Sequence, residues 1–159
     1  METKIVKLNS GATVKAQIWD TAGNEKYKAM TSAHYRKAVG AFVFYDITNL
    51  DSFNNIKKWV TELKLLAEPE IVIMMIGNKA DLENSRVIKT EDAMNYAKNN
   101  GMLFYETSAI SGLNIKESFE DLLNGIIKKL REQCIVVNTK ENIFESCLNK
   151  SSLKRNCNC

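Results

Sequence analysis

Three strand-length apolar runs, Ala41–Tyr45, Ile71–Ile76 and Leu103–Thr107, constrain this chain more than any other feature. A strand wetted on one face alternates apolar and polar residues. A run that is apolar at nearly every position needs cover on both faces, as in a parallel sheet. Between these runs lie segments with helical spacing. Phe53, Ile56, Val60 and Leu63 form one stripe, with Asp51 or Ser52 as the expected cap and Pro69 as punctuation beyond the end. Thr90 is placed to cap a helix running to Asn100, with Gly101 as its stop. Asn114 and Glu117 have capping-box spacing ahead of Ile115, Phe119, Leu122, Leu123, Ile126 and Leu130. Strand alternating with helix predicts a doubly wound α/β sheet, in which ligands bind beyond the carboxyl ends of the strands.

Ahead of this pattern, Lys4–Leu8 and Thr13–Asp20 flank Asn9-Ser10-Gly11 and read as an antiparallel hairpin, followed by a polar, weakly helical stretch, Glu25–Val39. The 159 residues suffice for one domain. Lys and Arg number 22 against 19 Asp and Glu, a net charge of +3, too mild for a nucleic-acid-binding face. Residues 1–18 mix charge with short apolar stretches, unlike a secretory signal, and no apolar run reaches membrane-spanning length, so a cytosolic chain is expected. Four cysteines in a reducing compartment do not argue for disulfides, yet all four, Cys134, Cys147, Cys157 and Cys159, fall in the last stretch of the chain.

The chemistry sits at the strand ends. Asp20-Thr21-Ala22-Gly23 follows the strand ending at Trp19. A carboxylate at Asp20 suits a magnesium ion held through water, and Gly23 lets a backbone N–H approach a terminal phosphate. Alone, Asp-x-x-Gly is equally a turn. Asn78-Lys79-Ala80-Asp81 follows the second apolar run. The Asp81 carboxylate suits the N1–H and exocyclic amine of guanine, a donor pair that adenine does not present. The Lys79 stem suits the base plane, and Asn78 can tie loops together. Three such fixed positions recur by chance in roughly 2% of chains this long, so the motif needs support from its neighbours. Glu106-Thr107-Ser108-Ala109 supplies it, because a small residue there lets a backbone N–H reach the guanine carbonyl oxygen. The order of the three motifs, each at a strand's carboxyl end, is the strong signal.

With these residues in view, Val14–Ile127 resembles the Rab branch of the Ras-like small GTPases. Ile18-Trp19-Asp20-Thr21-Ala22-Gly23, Tyr35-Arg36, Ala38-Val39-Gly40-Ala41 and Tyr45-Asp46-Ile47-Thr48 all fit, and Lys15-Ala16-Gln17 with Thr31-Ser32-Ala33 is similar to the recycling-endosome subfamily. The resemblance implies a P-loop-NTPase-type G domain that binds GTP or GDP with magnesium and hydrolyses GTP. Asp20–Val39 would be its second switch region, ordered by the terminal phosphate. It also implies effectors, exchange and activating proteins as partners, met through Trp19, His34 and Tyr35. Its setting would be vesicle traffic on the cytosolic face of endosomal or other membranes.

The chain departs from that family in several places. No Gly-x-x-x-x-Gly-Lys-Ser/Thr occurs among its seven glycines. The family's first strand, phosphate loop and first switch would all precede Met1, so the sheet is expected to lack its first strand. Asn24 stands where the family has the catalytic Gln that orients attacking water, and Ile110 where a Lys is common. Residues 1–131 are expected to form the G domain and 132–159 a flexible tail ending Cys157-Asn158-Cys159. By resemblance these two cysteines are lipidation sites for geranylgeranyl groups, which with Lys150, Lys154 and Arg155 would anchor the chain and require the prenylation machinery. Two functions follow. One is a GTP-hydrolysing switch in a shortened form. The other is a nucleotide-poor interaction protein that binds the family's partners without hydrolysis.

Overall fold

The structure, a computed structural model, describes residues 1–8, 11–20 and 35–138, with side chains described as far as residue 133. Two β-strands open the chain, β1 (Glu2–Lys7) and β2 (Thr13–Ile18), and they pair antiparallel from Glu2↔Ile18 to Lys7↔Thr13. The predicted hairpin is therefore present. On β2 the half-buried Val14, Ala16 and Ile18 alternate with exposed Thr13, Lys15 and Gln17, the period of a sheet covered on one face.

The remaining elements alternate as the sequence predicts: β3 (Gly40–Asp46), α1 (Leu50–Leu66), β4 (Val72–Asn78), a single 3-10 turn (Glu83–Ser85), α2 (Thr90–Asn99), β5 (Leu103–Glu106) and α3 (Ile115–Asn138). Strands β3, β4 and β5 form a parallel sheet in that order, with Gly40↔Val72 through Asp46↔Asn78 on one side of β4 and Met74↔Leu103 through Gly77↔Glu106 on the other. All three carboxyl ends consequently lie along one edge.

The central strand shows why its run is wholly apolar. Ile73 and Met75 join Val43, Tyr45, Ile56, Val60 and Leu63 on one face, where α1 and the Ala93 and Ala97 positions of α2 pack. Val72, Met74 and Ile76 join Leu122, Phe42 and Tyr105 on the other. Each fully buried Ile or Leu contributes about 1.5–3 kcal/mol relative to exposure. Phe53 of α1 is wedged edge-on against Tyr45 and Tyr96, with centroids 5.1 and 5.8 Å apart.

Several boundaries differ from expectation, each for a local reason. The cap of α1 is Asn49, whose side-chain oxygen accepts from the Ser52 N–H at 3.1 Å. Ser52 instead turns its hydroxyl toward the Asn49 and Asp46 backbone, and Asp51 lies in the first turn. Thr90 is the first helical residue of α2 and not its cap, because its hydroxyl donates to Glu106 Oε2. Gly101 does stop that helix, at φ +69°, where a side chain would be strained. Asn114 has φ +54°, outside the extended region a cap needs, and its amide donates to the Glu106 carbonyl at 2.8 Å. Finally, α3 continues past Arg131 to Asn138, a stretch without Gly or Pro, so the first part of the expected tail is helical. Residues Met1–Ile126 form one compact unit and Ile127–Cys159 another.

Candidate functional site

Two loops meet at the carboxyl edge of the parallel sheet. The first continues β4 as Asn78-Lys79-Ala80-Asp81, and the second continues β5 as Thr107-Ser108-Ala109. They are sewn together by the Thr107 N–H donating to the Gly77 carbonyl at 2.8 Å and the Ala80 N–H donating to the Thr107 carbonyl at 3.0 Å. The Asn78 carbonyl accepts from the Ile47 N–H at 3.1 Å, and its Oδ1 accepts from the Thr107 hydroxyl at 3.4 Å, which ties in the segment after β3. That is the loop-tying part expected of Asn78. Gly77 allows the close approach, since a Cβ there would sit 2.6 Å from the Tyr45 hydroxyl. Burial, and then the nearby Glu106 carboxylate, push the Tyr45 hydroxyl well above the usual phenol range, so it stays neutral.

Asp81 is exposed, and its orientation is set from below. The wholly buried Ser108 donates its hydroxyl to Asp81 Oδ1 at 2.5 Å. The same oxygen, Ser108 Oγ, accepts from the N–H groups of Ile110 and Ser111 at 3.2 and 3.1 Å. One oxygen of the exposed Asp81 carboxylate is thereby fixed, and the other has no hydrogen bond among the described residues. Ala109 is exposed beside it, and its N–H makes no hydrogen bond within the described residues. The two joined loops thus carry a hydrogen-bond acceptor, Asp81, and a backbone donor, Ala109, the two kinds of group that the edge of a guanine ring would need. Ile110, where a Lys was noted as common, is 87% exposed and contributes no polar group.

Lys79 adopts φ +66° and extends its ammonium to Asp46 Oδ2 at 2.6 Å. Sequence reasoning assigned no part to Asp46. The available signal was its place as the first charged residue after an apolar strand, at the carboxyl edge. Its carboxylate also accepts from the Thr48 N–H and hydroxyl at 2.8 and 2.7 Å. Burial works against its charge, yet the hydrogen bonds from Lys79 and Thr48 outweigh that and hold its pKa down at about 2. Also missed was Arg86, which bridges Glu83 and Glu106 just beneath the two loops.

Trp19 and Asp20 follow β2 and are exposed, and no hydrogen bond or ion pair among the described residues joins Asp20 to Asp81, Lys79 or Ser108. Tyr35, expected to meet partners, is half-buried and packed against the core cluster that contains Val43 and Ile56. Gly23, Asn24, His34, Cys157 and Cys159 lie outside the described residues.

The described residues fit a guanine base better than they fit phosphates or magnesium. They contain no group of three or more His, Cys, Asp or Glu side chains able to hold a metal ion. Magnesium commonly takes one or two carboxylates and completes its shell with water and substrate phosphates, so Asp20 is compatible with it only when phosphates are present. No glycine-rich phosphate loop occurs in the sequence. Among the described residues, no helix is long and apolar enough to cross a membrane.

Comparison with known proteins gives the family. The Ras family model matches residues 1–128. The chain is 48% identical over 125 residues to the Ras-related protein RABA2a of Arabidopsis thaliana, covering 79% of this chain and 58% of that protein. It is 48% identical over 124 residues to Ras-related protein Rab-11C of Dictyostelium discoideum, covering 78% and 55%. Against Ras-related protein Rab-25 of Homo sapiens the identity is 47% over 131 residues, covering 82% and 61%. The chain therefore spans little more than half the length of the curated relatives it matches.

Proposed function

Because the chain belongs to the Ras family of small GTPases, in its Rab branch, we propose that it is a guanine-nucleotide-dependent switch of membrane traffic. The observation that carries this reading is the base-reading cluster: Asp81 oriented by Ser108, with the exposed Ala109 N–H beside it. Guanine is the ligand chemistry that satisfies both groups at once. GTP and GDP would bring phosphates for Asp20 and magnesium, and Gly23 and Asn24 would stand near the terminal phosphate. Asn24 is one methylene shorter than the Gln of the family, so water is positioned poorly and hydrolysis is slow. Trp19, His34 and Tyr35 would meet effectors and regulators, and prenylated Cys157 and Cys159 would hold the protein on cytosolic membrane faces, endosomal ones by subfamily. Residues 1–131 would carry the nucleotide and 132–159 the membrane attachment.

A second reading takes the 159 residues by themselves. The sequence contains no phosphate loop, and no strand pairing joins β2 to β3 among the described residues. On that reading the chain binds the family's partners with little or no nucleotide. The missing charge-assisted hydrogen bonds amount to roughly 6–10 kcal/mol at about 1.5–3 kcal/mol each, or about four to seven decades in affinity.

Titration of the full chain with GDP and ADP separates the two. The switch reading expects weak binding that favours GDP and that loses this preference in Asp81→Asn. Equal affinity for GDP and ADP in the unaltered chain refutes the guanine assignment. Tight, magnesium-dependent GTP binding refutes the expected penalty for the missing loop.

A further inference from the structure

The densest set of charge-assisted hydrogen bonds in the described residues lies under the two loops, centred on one arginine. The Arg86 guanidinium is 14% exposed. Its Nη1 and Nη2 donate to Oε1 and Oε2 of Glu106 at 2.7 and 2.9 Å, a fork-on-fork pair. Its Nε donates to both Glu83 oxygens at 2.9 and 3.0 Å, and Nη2 adds a bond to Glu83 Oε2 at 2.7 Å. The Ile88 carbonyl accepts from Nη1 at 3.0 Å.

The two carboxylates it joins lie close to the two reading loops. Glu106 ends β5 and directly precedes Thr107-Ser108-Ala109, while Glu83 opens the 3-10 turn that follows Asp81. Glu106 is pinned from two further elements, by the Thr90 hydroxyl on its side chain and the Asn114 amide on its carbonyl. The loops are also linked directly, by the backbone bonds Thr107–Gly77 and Ala80–Thr107, the Thr107 hydroxyl on Asn78 Oδ1 and the Ser108–Asp81 contact.

We propose that Arg86 is a positioning residue that sets the spacing between the loop carrying Asp81 and the loop carrying Ser108 and Ala109. It thereby governs how sharply the site separates guanine from a purine lacking the exocyclic amine. The second statement rests on the guanine reading proposed above, and the first does not. The physical reason is geometric. A base held at several points loses contacts when its partners shift by about an ångström, and Asp81 and Ala109 are borne on different loops. Arginine's planar fork fixes two carboxylates in one plane, and a lysine ammonium at the same place keeps the charge but not the plane. A merely stabilising arginine would weaken every nucleotide alike, whereas a positioning one alters the ratio between nucleotides.

Two measurements on the full chain and its Arg86→Lys variant test this. The first is hydrogen exchange followed by mass spectrometry without nucleotide. Peptides spanning 79–86 and 107–113 should exchange about tenfold faster in the variant, the scale of coupling between contacting residues, while the 40–46 strand stays protected. Unchanged loop exchange overturns the proposal, and so does an equal rise in the strand. The second is titration with GDP and IDP, since hypoxanthine lacks the amine that Asp81 would accept. The GDP-to-IDP affinity ratio should fall about tenfold in Arg86→Lys, and again in Glu106→Gln. A parallel loss for both nucleotides overturns the specificity statement. If the unaltered chain prefers neither nucleotide, the guanine reading fails, and the exchange result alone decides whether Arg86 spaces the loops.

Discussion

Asp46 illustrates how much of this site turns on single side chains that no motif marks. Its carboxyl is held at about 2 against an ordinary value of 3.8, so the folded state binds its proton less readily than the unfolded chain does. A depressed acid stabilises the fold above its unfolded pKa, and that contribution disappears as pH falls through the folded value. The window is therefore roughly pH 4 down to pH 2. The shift of nearly two units corresponds to at most about 2.5 kcal/mol, less after screening, because the Lys79 partner is half-exposed. Asp46→Asn should lower stability at pH 6, and the difference from the unaltered chain should vanish near pH 2. Urea melts across that range check this. A constant difference at all pH values would mean that the ion pair contributes nothing through its charge. The candidacy of Asp81 is legible from the Asn-Lys-Ala-Asp spacing beyond an apolar strand. Its orientation by Ser108 is not, because the two are separated in sequence and meet only when β4 and β5 pair.

At the level of elements, the alternation of buried strands and amphipathic helices was readable because burial imposes periods that sequence displays directly. Caps were less so. The stretch Asn49-Leu50-Asp51-Ser52 holds three residues able to cap, and the choice of Asn49 follows from where β3 ends and from Ser52 being drawn to the Asp46 backbone. Asn49→Ala should therefore cost about 1 kcal/mol, whereas Asp51→Ala, exposed in the first turn, should cost no more than a few tenths. Thermal melts of the two variants test the assignment, and an equal loss would return the cap to Asp51. The fate of Thr90 and Asn114 has the same origin. Both had sequence reasons to cap a helix, and both are recruited by Glu106, a partner no local window contains.

For the whole molecule, the consequential feature is that the hairpin and the parallel sheet share no ladder among the described residues. In the family arrangement the strand between them would be flanked by β2 and β3, and strands spaced about 4.8 Å apart leave nearly 10 Å without it. Hydrogen bonds do not cross that distance. Phe44 on β3 is 58% exposed, and Phe42 stacks on Phe119 of α3 with centroids 6.2 Å apart. An open strand edge beside exposed aromatic surface invites pairing with another chain. The 159-residue chain expressed alone should thus be unstable or associated, and supplying a family-like first strand, phosphate loop and switch should give a soluble monomer. Light scattering after size-exclusion chromatography tests both statements. Monomeric elution of the unaltered chain together with a cooperative melt would count against them and favour the nucleotide-poor reading. Membrane attachment belongs to this scale as well. Replacing Cys157 and Cys159 with Ser should move the protein from the pellet to the supernatant in cell fractionation, while Cys134 and Cys147 replacements should not. Retention of the double variant in the pellet would rule out prenyl anchoring.

The sequence by itself determined the class of fold and the order of its elements, and it marked Asn78, Lys79, Asp81, Ser108 and Ala109 as the candidates for reading a base. Buried strands must be apolar throughout, and a carboxylate placed after one is conspicuous against them. The tertiary structure decided which polar groups meet. Lys79 with Asp46, Ser108 with Asp81, and Arg86 with Glu106 are distant in sequence and are joined only by the parallel register of β3, β4 and β5. Periodicity is a property of one segment and is written in it. A hydrogen bond between loops depends on the rotation and spacing of two strands, which the packing of helices on both faces of the sheet sets.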